Sequence, residues 1–155
     1  TKLKELEELG ILNVWTGIRF GMILHYLEDF FTMAHSRYFQ GNLVAHIRYE
    51  VRLSRYIRAL FAGNYKLYDG DPDNTQVYSM EDLNERIVSL QKDYQKEIRE
   101  AEDETICFAT DLEYMNMAVQ TVVGYMIPVM NRKTNMYHRL ETRVMIQMPQ
   151  RYHFL

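Results

Sequence analysis

The chain has 155 residues, 47% hydrophobic and 25% charged, which fits a single domain able to bury a sizeable core. Seven Gly and three Pro argue against a turn-rich all-β fold, and a net charge of −3 excludes a global basic field that would recruit nucleic acid. The only cysteine, Cys107, excludes an internal disulfide and a thiolate-built metal site.

Residues 2–9, KLKELEEL, are strong helix formers with Lys/Glu pairs at helical spacing. Trp15, Ile18, Met22, Ile23, Leu27, Phe30 and Phe31 then recur at steps of three and four. That period predicts one helix to about Tyr38, with a break near Gly10. Gly17 and Gly21 form a G-x-x-x-G pair, which permits close helix approach. Gly41-Asn42 marks a turn, a second helix follows from Leu43, and Gly63-Asn64 ends it. A loop to about residue 78 precedes Ser79, which fits a capping box with Asp82.

Between Ser79 and Gly124 there is no Gly and no Pro. Leu83, Ile87, Leu90, Tyr94, Ile98 and Ala101 form one stripe, continued by Thr105, Phe108, Leu112, Met115, Val119, Val122 and Met126. This heptad register predicts one long coiled-coil-like helix, or two helices broken near Thr105–Asp111 with Thr110-Asp111 as the cap. Pro128 should end or kink the segment, and a shorter helix is expected over 132–145. The fold class read from the sequence is therefore all-α, an antiparallel helical bundle with one long coiled-coil-like helix. Two stretches, 9–24 and 114–131, approach membrane-spanning length. Arg19 interrupts the first, and Asn116, Gln120 and Thr121 the second, so buried bundle helices are the preferred reading.

Candidate chemistry is sparse. The loop DGDPDNT places Asp69, Asp71 and Asp73 at positions 1, 3 and 5 of a calcium loop, but position 12 is Met80 and the acid arrives late, at Glu81. A polar hinge loop is preferred there, with calcium as the alternative cofactor and no cofactor as the default. His25 with Glu28, His46 with Glu50, and His138 with Glu141 share helical faces. Neither Glu-x-x-His nor His-Glu-x-x-His occurs. His25, His35 and His46 could meet at a helix corner as a metal cluster, although local hydrogen bonding is the preferred reading. Cys107, between Ile106 and Phe108, reads as a buried thiol. Arg48, Arg52, Arg55 and Arg58, with Tyr49 and Tyr56 interleaved and Arg37 upstream, make a basic stripe. It is either an anion surface for a small acidic ligand or the partner of the acidic segment 79–104, and internal pairing is preferred.

With no catalytic motif evident, the sequence is read as a non-enzymatic helical interaction or signalling module, 1–155 being one domain cut from a larger protein. It would act through a protein partner or as a homo-oligomer, and ten Met and twelve Tyr suit such a surface. The alternatives are a ligand-sensing input domain of a membrane receptor, attached through flanking segments, and a calcium- or other metal-binding helical protein. No compartment is indicated.

Overall fold

The computed structural model describes residues 2–63 and 77–147, with side chains as far as residue 132 and at Thr134. Five α-helices and one 3-10 turn make an all-α bundle: α1 (Lys2–Leu9), α2 (Val14–Phe30), the turn Met33–His35, α3 (Leu43–Ala62), α4 (Met80–Glu100) and α5 (Glu104–Gln147). Among the described residues there is no strand.

The break expected near Gly10 is present, while the helix expected to run to Tyr38 stops at Phe30. Gly10 takes a left-handed φ of 58°, which ends α1, and its N–H bonds to Leu6 O at 3.0 Å. Asn13 then restarts the chain: its side chain accepts from Thr16 N, and Thr16 Oγ1 accepts from Asn13 N, a reciprocal cap. At the other end, Thr32 leaves the helix in extended backbone, and the chain tightens into the 3-10 turn. The Gly17/Gly21 pair does not mediate close packing. A Cβ built at either position meets nothing within 4 Å, because both glycines lie off the buried Thr16/Phe20 side of α2.

Of the two readings of the heptad stripe, two helices are found, with the break earlier than expected. The heptad stripe folds back on itself at Ala101–Asp103. Ala101 is extended, and the Asp103 carboxylate accepts from Thr105 N (2.7 Å) and Ile106 N (2.9 Å), capping α5. Thr110-Asp111 is no cap; both residues are buried inside α5. The hairpin runs antiparallel. Tyr94 meets Asp111 near the turn, while Met80 and Leu83 share a cluster with Val122 and Met126 at the far end. Pro128 does not end α5, and no separate helix begins near 132. Among the described residues no helix is long and apolar enough to cross a membrane.

Two apolar clusters hold the bundle. One joins α1, α2 and the open end of the hairpin through Leu6, Phe20, Met80, Leu83, Val122, Met126 and Met130. The other gathers Phe31, Ala34, Tyr49, Leu53, Tyr94, Ile98, Phe108, Tyr114 and Ala118. It fixes the end of α2, the 3-10 turn and α3 against the hairpin, and those are the segments that carry His25, His35 and His46.

Candidate metal centre

The last turns of α2 place His25 and Asp29 four residues apart on one face, with Nε2 and Oδ2 3.7 Å apart. Phe31 then buries completely, and Thr32 Oγ1 donates to Glu28 O at 2.9 Å. These contacts turn the chain so that His35 comes back over the end of α2, its Nε2 3.8 Å from Asp29 Oδ1. Asn42 caps α3 by accepting from Ala45 N (3.0 Å), which starts a helix whose first turns present His46 and Glu50. His46 Nε2 lies 2.9 Å from Glu50 Oε1, and His35 Nε2 lies 3.4 Å from the same oxygen. The imidazoles of His35 and His46 meet edge to face, 4.5 Å between centroids. Ligand atoms of His35, His46 and Glu50 all fall within 4.8 Å of one another.

Aromatic side chains back the cluster. Phe39 packs edge-on to His46 and to Tyr49. Gly41 makes that possible, since a Cβ there would come within 2.5 Å of the Phe39 ring and 2.8 Å of Ala45 Cβ. Deeper still is Asp111, fully buried on α5. Its carboxylate accepts from Tyr49 Oη (2.7 Å), from Tyr94 Oη (2.9 Å) and, on both oxygens, from Met33 N (3.1 Å). Burial pushes its pKa up to about 6, the three hydrogen bonds opposing the shift. Burial, with Asp111 beside them, likewise pushes the Tyr49 and Tyr94 phenols well up, so both stay protonated as donors. One carboxylate thus ties together the turn that leads to His35, the helix that carries His46 and Glu50, and α4.

Beside the cluster lies a cleft of about 500 Å³. His25, Asp29 and Glu50 edge it, Leu53, Ile57 and Met115 supply apolar wall, and Arg58 brings a cation. Arg58 is steadied by donating to Ser54 Oγ at 3.0 Å. Glu28 also lines the cleft, and burial raises its pKa.

This arrangement of two imidazoles and a carboxylate beside a cleft meets an independent finding. The model of a protein family described as zinc dependent phospholipase C matches residues 5–101. The chain belongs to the zinc dependent phospholipase C family. No curated protein and no solved structure matches the chain. Membership in the phospholipase C family overturns the reading of a non-enzymatic interaction or signalling module, and with it the sensor-domain alternative. That reading rested on the lack of familiar catalytic motifs, with the His/Glu pairs read as local hydrogen bonding. His25-x-x-x-Asp29 and His46-x-x-x-Glu50 put the histidine first, at a spacing of four, with His35 between them in the chain. The match ends before α5, so Asp111 lies outside the family-matched segment.

The other candidate residues are placed as follows. Arg52 pairs with Glu104 at the start of α5, while Arg48 and Arg55 are exposed. Tyr49 is buried against Phe108 and spends its hydroxyl on Asp111. Tyr56 is half-buried against the same ring. Glu81 is exposed in the first turn of α4, where Ser79 Oγ accepts from Asp82 N at 3.1 Å. Asp69, Asp71 and Asp73, and the side chains of His138 and Glu141, lie outside the described residues. Cys107 is buried as expected, and burial first, then Asp111, raises its pKa.

Proposed function

We propose that the chain is a zinc-dependent phospholipid hydrolase of the phospholipase C type, with His35, His46 and Glu50 as ligands of the metal. One observation carries the reading: two imidazoles and a carboxylate converge within 4.8 Å beside a cleft, in a chain of a zinc dependent phospholipase C family. The donor set fits the ion. Neutral imidazole nitrogen and carboxylate oxygen are the donors of catalytic zinc sites, and three protein ligands leave a position open. Bound there, zinc supplies Lewis acidity toward a phosphoryl oxygen and a bound water that ionises near neutral pH.

The remaining roles belong to the chain. Asp29 sets its carboxylate 3.7 Å from His25 Nε2 and 3.8 Å from His35 Nε2, so it adds negative charge beside the donor atoms and is placed to join the donor set. His25, at the cleft edge, is placed to extend the donor set. Arg58 offers a positive charge to a phosphodiester in the cleft, and Leu53, Ile57 and Met115 shield its glycerol side from water. Phe39 and Tyr49 keep the His46 side of the cluster from shifting.

The test is hydrolysis of phosphatidylcholine in mixed micelles, followed by phosphorus NMR. The zinc-loaded protein should release phosphocholine and leave diacylglycerol, the chelated protein should not, and Glu50→Gln should lose the activity. Release of phosphatidic acid, or equal rates with and without zinc, would refute the reading.

A further inference from the structure

A second concave surface lies on the bundle apart from the metal ligands. It is a groove of about 550 Å³ between Arg37–Tyr38, just after the 3-10 turn, and one side of α4. Four cations line it: Arg37 from one wall, and Lys92, Lys96 and Arg99 from the other. The sequence hides this. Segment 79–104 holds nine acids against four bases and reads as an acidic helix. Yet Lys92, Lys96 and Arg99 are spaced by four and three, so they share one helical face. Of the neighbouring acids on α4, Glu97 is turned elsewhere: it accepts from Tyr114 Oη at 2.7 Å, on the side facing α5.

The cations are poised rather than spent. Among the described residues neither Lys92 nor Lys96 has an ion-pair partner. Arg37 lies over the Tyr38 ring, 4.9 Å from its centroid, and donates to Tyr38 Oη at 2.7 Å, which holds its guanidinium at the rim. Arg99 meets Glu100 at 3.3 Å in an exposed pair that water screens and a stronger anion can displace. Gln91 Nε2 donates to Phe30 O at 3.1 Å and ties this wall to the end of α2, so the groove is built on the frame that holds Asp29.

We infer that this groove is a binding site for a phosphate-bearing anion, taken by Arg37, Lys92, Lys96 and Arg99. Positive charges converging in a concavity focus the field locally even where net charge is −3. The guanidinium forks suit phosphate oxygens, and the lysines add point charge. The phosphate can come from the headgroup of an acidic phospholipid in a bilayer or from a soluble phosphate. The inference is independent of the metal centre and stands whether or not the chain hydrolyses lipid.

The experiment uses the full chain in chelator, so that no lipid is cleaved. It is sedimented with phosphatidylcholine vesicles with and without a minority of phosphatidylglycerol, and titrated with inorganic phosphate by calorimetry. Lys92→Gln/Lys96→Gln is compared with Arg48→Gln/Arg55→Gln, which removes equal charge from exposed positions outside the groove; melting temperatures show that both fold. The groove pair should weaken binding at least about tenfold and the control less than about threefold, both effects shrinking with salt. Binding to the acidic vesicles alone assigns a lipid headgroup, and binding of phosphate itself assigns a soluble ligand. Equal losses in the two variants, preference for poly-glutamate over both probes, or no binding by the wild type overturns the inference.

Discussion

Replacing Asp111 with alanine tests how the segments that carry His35, His46 and Glu50 are held. The substitution leaves Tyr49 Oη, Tyr94 Oη and Met33 N without their acceptor inside a closed core. Each stranded donor costs about 1–3 kcal/mol, roughly 6 kcal/mol together. Against this, the ionised carboxylate already carries a burial cost. Its pKa stands at about 6 instead of 3.8, a shift equivalent to about 3 kcal/mol that alanine relieves. The net loss is about 3 kcal/mol, or roughly 10 °C in melting temperature for a domain of this size. Thermal unfolding by circular dichroism near neutral pH, in chelator, measures it. The same variant should weaken zinc binding at least about tenfold, because the turn before His35 and the helix of His46 lose their shared anchor. Tyr94→Phe is the control. It removes one donor from α4, a helix that carries no metal ligand, and should cost about 1 kcal/mol with zinc affinity nearly unchanged. A melting temperature for Asp111→Ala within about 2 °C of wild type would refute the reasoning.

Asp111 also sets a pH dependence. A folded pKa above the ordinary 3.8 means folding favours the protonated acid. That contribution is full below about pH 4 and lost as pH rises through about 6, so the stability margin of wild type over Asp111→Asn should narrow across that window. A constant margin between those pH values would contradict it. His35→Ala and His46→Ala should each weaken zinc binding at least about tenfold yet change the melting temperature little, since His35 is exposed and His46 half-buried. Gly41→Ala must push aside both the Phe39 ring and Ala45 and should cost about 1–3 kcal/mol, with weaker zinc binding because Phe39 backs His46. Arg52→Gln removes a half-exposed pair with Glu104 and should cost no more than about 1 kcal/mol, read by thermal melts at low and high salt.

The all-α architecture was legible because apolar residues recur at three and four through most of the chain. Its breaks were harder to read. Asn13 with Thr16, and Asp103 with Thr105 and Ile106, end and restart helices through side-chain bonds that interrupt the apolar period only briefly. A heptad stripe reads the same whether it continues or folds back on itself, so one helix and two were both compatible with it. The site was half legible. His25, His35 and His46 were recognised as able to meet, and His46 was paired with Glu50. Asp29 was missed because Glu28, beside it in sequence, drew attention, although the spacing of four from His25 selects Asp29. Nothing local marks Asp111 as the hub: it is an acid in an apolar run, and only the fold brings Tyr49, Tyr94 and Met33 to it.

Zinc X-ray absorption on the loaded protein tests the central claim most directly, because it counts the imidazoles around the ion. The metal centre described here gives at least two imidazoles with oxygen donors, one imidazole fewer in His35→Ala or His46→Ala, and no sulfur. An oxygen-only shell, as the acidic residues Asp69, Asp71 and Asp73 would provide, or a spectrum unchanged by both substitutions, contradicts it.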